Sequence, residues 1–169
     1  MSEREVGVPR DKSAEAAERT ARLNEDSAVT AARLIVENAD LLRPAHVSEL
    51  LSVAVWMYTE ARGKYQTRYT TPAARADGAK VRHEHVIPRK TIRQALLQHR
   101  DRVAQIMRLS TACIVTQEEH KLLRSPSIGW HRYKDAGMTV LDRETGAVVD
   151  LDRMAEALAL AWHDATRQS

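Results

Sequence analysis

The sequence predicts an α+β chain, mostly helical, in which a helical arm precedes a mixed body. Three observations carry that assignment. Residues 13–42, SAEAAERTARLNEDSAVTAARLIVENADLL, are rich in Ala and hold neither Gly nor Pro, as a long helix requires. Two middle runs, KVRHEHVIP and TACIVT, are strand-length and carry Val, Ile and Thr. MTVLDRETGAVVD then sets a Gly-containing turn between apolar runs, a hairpin signal, and LDRMAEALALAWHDA closes the chain as a helix. The resulting division is a flexible N-terminus (1–12), a helical arm (13–63), and an α+β domain (64–169) ending in the hairpin and helix.

The elements follow in order. The Ala-rich stretch reads as helix with a break near Asn24 to Ser27, and Ala28, Ala31, Ala32, Leu34 and Ile35 supply an apolar face to its second part. A second helix starts at Pro44, carries Val47, Leu50, Leu51, Ala54, Val55 and Tyr58 as a stripe, and stops at Gly63. Pro72 opens a short turn and Asp77-Gly78 marks another. The strand KVRHEHVIP ends at Pro88. One helix over residues 90–108 keeps Ile92, Leu96, Val103, Ile106 and Met107 on one side. After the strand TACIVT, Thr116 caps a short helix, with Glu119 three residues on as in a capping box. In GWHRYKDAG, Trp130 and Tyr133 read as a core face; His131 reads as surface, with a spare ligand role as the alternative.

Composition limits the classes. One cysteine, Cys113, excludes an internal disulfide and a cysteine-only zinc site within one chain, and its apolar neighbours make it a buried small residue. No apolar run approaches the ~20 residues that span a bilayer, and no secretory signal core is present, so the expected setting is cytoplasmic, away from the membrane. The net charge is only +3, but residues 61–110 hold 12 Lys or Arg against 3 Asp or Glu, which leaves −6 for the rest. A basic middle between acidic flanks suits a polyanion.

That middle also concentrates the histidines. His83 and His85 alternate with Glu84, so a regular strand puts both imidazoles on one face and the carboxylate on the other. His120 follows on the short helix. Imidazole and carboxylate together suit a divalent ion such as Zn, Ni, Mn or Mg. Arg82, Arg89, Lys90 and Arg93 stand close by as phosphate contacts. RGKYQTRYTT interleaves cations with Tyr65 and Tyr69, as single-strand contact surfaces and tyrosine-packed loops both do.

EHVIP resembles the acid–His–apolar–apolar–Pro step of the HNH, or ββα-metal, nucleases, and ACIVTQEEHKLL resembles their final strand-to-helix segment. The likeness covers residues 80–124. It implies an HNH-like ββα-metal core, a metal-dependent endonuclease activity, and these roles: His85 as the base that activates water, Glu84 and His120 as metal ligands. His83 joins them if the metal site is built from the histidines. The pattern departs from the family's: a helix over residues 90–108 stands between the two strands that should form a hairpin, and the bracing cysteine pairs are absent. No Asn stands between Glu84 and His120 to orient the base, and Arg124 occupies the position of a further ligand.

Three function classes follow: an endonuclease cleaving nucleic acid, with DNA placed ahead of RNA; an HNH-like nucleic-acid-binding or regulatory protein without turnover; and a helical interaction protein of adaptor or toxin–antitoxin type. The last, and a homodimer through the N-terminal helices, are motivated by an Ala-rich arm with no evident companion in the sequence.

Overall fold

A computed structural model of the chain describes residues 12–124 and 127–167. Residues 1–11 of the expected flexible N-terminus lie outside these, and Lys12 already belongs to the first helix. Helix α1 (Lys12–Glu37) runs unbroken for 26 residues. The expected break near Asn24 is absent because its polar side chains do not compete for the helix's own bonds: Asn24 Nδ2 donates to the Ala61 carbonyl at 2.9 Å, and Ser27 Oγ donates back to Leu23 O at 2.7 Å.

Helix α2 (Pro44–Thr59) begins with its proline in the first turn, where the missing N–H costs nothing. It packs along α1, so that Ala21, Ala28, Ala32 and Val36 of α1 are buried together with Val47, Leu51, Ala54 and Val55 of α2. The Ala-rich helix therefore has an apolar companion within the chain. Leu34 and Leu50, expected on the apolar faces, stay exposed, as do Val53 and Met57.

The expected single helix over residues 90–108 is two, α3 (Arg89–Gln98) and α4 (Val103–Arg108), with a 3-10 turn at Arg100–Arg102 between them. Ile92, Leu96, Val103, Ile106 and Met107 are all buried as their spacing requires. The break is tied down from outside: Arg100 makes a two-pronged ion pair with Asp40, and Arg102 donates to Asp164 O.

The sheet has four strands: β1 (Tyr69–Thr70), β2 (Val81–His85), β3 (Ala112–Thr116) and β4 (Leu141–Asp142), in spatial order β2-β3-β1-β4. β2 and β3 run antiparallel with Val81 opposite Thr116 and His85 opposite Ala112, although a helical insertion separates them in sequence. β1 joins β3 in parallel. It is too short to show any alternation, and its place depends on distant groups: Arg68 Nη2 meets Asp142 at 2.7 Å and Arg143 N donates to Arg68 O. The expected hairpin is reduced to β4 and a single bridge from Leu141 to Val148, turned at Gly146 with φ +72°.

Helices α5 (Gln117–Leu122), α6 (His131–Asp135) and α7 (Leu151–Thr166) complete the chain. Two cores result. One joins α1–α4 with Ala165 of α7; the other gathers Tyr69, Val86, Cys113, Val115, Leu123, Trp130, Tyr133, Val140 and Ala155. Leu158 of α7 packs against both. Among the described residues no helix is long and apolar enough to cross a membrane.

Candidate functional site

Strand alternation sorts the central motif into two environments. His83 and His85 leave one face of β2 toward α2, and Glu84 leaves the other, beside Cys113 of β3.

On the second face, the Glu84 carboxylate meets His120 Nδ1 at 2.7 Å across 36 residues of sequence. The local cause is the cap of α5. Thr116 Oγ1 accepts from Glu119 N at 3.1 Å and Glu119 Oε2 accepts from Thr116 N at 2.7 Å, the reciprocal capping box. Thr71 Oγ1 also donates to Glu119 Oε2 at 2.7 Å, which ties the helix start to the end of β1. His120, one residue on, is thereby aimed at β2. The other carboxylate oxygen of Glu84 accepts from Arg132 Nη2 at 2.8 Å. Arg132 is buried and spends its remaining donors on Leu123 O and His85 O. Glu84 thus sits between a fixed guanidinium and an imidazole that is half exposed.

On the first face the imidazoles are buried. The His83 ring stacks on Trp56 with centroids 4.9 Å apart, and His85 lies 5.7 Å from Trp56 and 5.0 Å from His83. His83 Nε2 pairs with Thr59 Oγ1 at 3.0 Å, and its Nδ1 stands 3.6 Å from Glu60 Oε1. Both nitrogens of His85 are buried without a hydrogen-bond partner. Burial, with His83, Arg89 and Arg132 adding to it, holds the His85 pKa down at about 3. Burial lowers that of His83 too, against the pull of Glu60.

The expected ligands therefore divide. Glu84 and His120 converge; His83 and the expected base His85 lie across the strand from them. Among the described residues no group of three or more His, Cys, Asp or Glu side chains is placed to hold a metal ion. The pair that does converge offers a carboxylate oxygen and an imidazole nitrogen, two donor types that divalent cations accept.

The expected phosphate contacts divide as well. Arg82 and Lys90 are exposed. Arg89 is exposed with its guanidinium carbon 5.2 Å from the Trp56 ring centre. Arg93 is turned inward, donating to Ser48 O and Ser52 Oγ of α2, so it is committed to helix packing. Trp130 and Tyr133 are core, His131 is exposed, and Cys113 is buried with its thiol pKa pushed up by desolvation.

Sequence reasoning missed Arg132. The available signal was an acid in the middle of a half-buried strand, which needs a cation when desolvated; nothing in the sequence says which of the chain's cations supplies it. Compared with protein-family models, curated proteins and solved structures, the chain has no match.

Proposed function

We propose that the protein is a metal-dependent endonuclease of HNH-like build. The observation that carries this reading is the 2.7 Å meeting of Glu84 and His120 where an antiparallel strand pair passes into a helix. In this reading both residues hold a divalent cation, Mg, Mn, Ni or Zn. Such an ion polarises a phosphoryl oxygen and stabilises the leaving group. His85, next in the chain, accepts the water proton. Its burial, which holds the pKa at about 3, makes it neutral at pH 7 but a poor acceptor, so this role requires the face it shares with Trp56 to open to water when substrate binds. Exposed Arg82, Arg89 and Lys90 hold flanking phosphates.

A second reading has its own support. Arg132 already neutralises Glu84, and His85 is buried with no acceptor to orient it, where the resembled nucleases use the Asn this chain lacks. Those features favour a protein that keeps the pair and the basic surface but binds nucleic acid without cutting it.

One experiment separates the readings. Purified protein is offered plasmid DNA, single-stranded DNA and RNA with each metal in turn, and metal binding is followed by calorimetry. The nuclease reading expects EDTA-sensitive cleavage, loss of metal and rate in Glu84→Ala and His120→Ala, and a ~10²–10⁴-fold slower His85→Ala that still binds metal. Binding of metal and nucleic acid with no cleavage selects the second reading. No binding of any of the four metals sinks both uses of the Glu84–His120 pair.

A further inference from the structure

A cleft of about 470 Å³ opens beside His120, with Arg82 and His83 of β2 in its lining. Its walls include Arg82, Lys121, Arg124, Trp56 and Tyr65, and no acidic residue lines it. Lys121 is paired with Glu118 at 2.8 Å. Among the described residues no carboxylate lies within ion-pair distance of Arg82 or Arg124, so two guanidiniums face the cleft with their charge unspent.

The two rings differ in what they offer. Trp56 is engaged by His83 and Arg89. Tyr65 is exposed, with Lys64 Nζ 5.2 Å from its ring centre. Its backbone has φ +60°, a left-handed conformation that, among the described residues, no other non-glycine residue adopts. Arg143 Nη1 holds it there by donating to Tyr65 O at 3.0 Å. A bulky residue persists in such a conformation only where its surroundings over-determine it, and such residues gather at binding sites.

A partly exposed aromatic ring that shares a cleft with unpaired cations selects among nucleic acids. A duplex keeps its base faces stacked and shows proteins only phosphates and groove edges. An unpaired strand offers both phosphates and free base faces. We propose that this cleft binds single-stranded nucleic acid, with one base stacked on Tyr65 and the flanking phosphates against Arg82 and Arg124. This rests on the reading of Glu84 and His120 as a phosphodiester site, and gives that site its substrate class.

The test is fluorescence anisotropy of the full chain with labelled oligothymidylate, oligouridylate and a DNA duplex of equal length, in EDTA so that nothing is cut. At least one single strand is expected to bind more tightly than the duplex, and comparison of the two assigns DNA or RNA. Tyr65→Gly, which relieves the left-handed backbone and so keeps the fold, is expected to weaken single-strand binding roughly 5- to 100-fold, the range for loss of one base–aromatic stack. Tyr65→Phe keeps the ring and restores it. Arg82→Ala and Arg124→Ala each lower the salt dependence of binding by about one ion. Equal or tighter duplex binding, or a Tyr65→Gly variant with unchanged single-strand affinity, overturns the proposal. Metal-dependent cleavage scored separately keeps the two claims apart. Cleavage without a single-strand preference rejects the cleft alone; single-strand binding that depends on Tyr65, without cleavage, rejects the nuclease reading alone.

Discussion

Each face of β2 meets a histidine, and the two faces treat it in opposite ways. On one, His83 and His85 lie against Trp56, and burial lowers the pKa of both imidazoles. On the other, Glu84 keeps a hydrogen-bond partner on each oxygen, one of them the half-exposed His120. The difference teaches that residue type does not assign chemistry here. The fold makes one histidine a packed core group and another a hydrogen-bond partner at the surface.

The largest expected effect comes from removing the partner that Glu84 cannot do without. Arg132→Met takes the guanidinium from a carboxylate that is only 12% exposed and from the Leu123 and His85 carbonyls, and unfolding by urea is expected to show a loss of about 3–5 kcal/mol. The double change with Glu84→Gln recovers part of that loss, because no uncompensated charge remains. A single variant as stable as wild type would break the contrast between the faces.

The face with the buried imidazoles is tested by pH. His85 has a folded pKa of about 3, below its value near 6.5 in the unfolded chain. Between those values the unfolded state binds the proton and the folded state does not. The stabilisation is therefore complete above pH ~6.5 and is lost as pH falls toward about 3. The expected slope from this one group is ~1.4 kcal/mol per pH unit, and His83, lowered in the same direction, adds to it. His85→Phe is expected to flatten the profile when unfolding free energy is measured from pH 7 to 4. An unchanged slope would mean that water reaches the imidazole.

Smaller effects test the other face. Thr116→Ala removes the capping box that aims His120, at an expected cost of about 1 kcal/mol and, in the proposed metal-binding reading, with weaker metal binding by calorimetry; Thr116→Ser restores both. Lys121→Ala breaks an exposed pair with Glu118 and should change stability by less than ~0.5 kcal/mol in the same urea titration. A larger loss would place Lys121 among the structural groups instead of the cleft cations.

Several features of this chain were decided by neighbours in sequence. Alternation along KVRHEHVIP separates Glu84 from His83 and His85, because successive side chains of a strand leave opposite faces. Thr116 and Glu119 set the start of α5 through bonds that span three residues. The spacing of Ile92, Leu96, Val103, Ile106 and Met107 identifies a buried stripe across both α3 and α4, and the apolar setting of Cys113 marks it as buried. What required the folded chain is everything joined at long range. The two-residue β1 is too short to carry a period and exists through its pairing with β3 and β4. The turn between α3 and α4 is tied to Asp40 and Asp164, and α1 passes unbroken through Asn24 because that side chain reaches Ala61. Arg132 closes on Glu84 across 48 residues. Local hydrogen bonds and side-chain periodicity are written within a few residues of the chain. The partner of a buried charge is chosen only when packing excludes water from it, and that choice belongs to the tertiary structure.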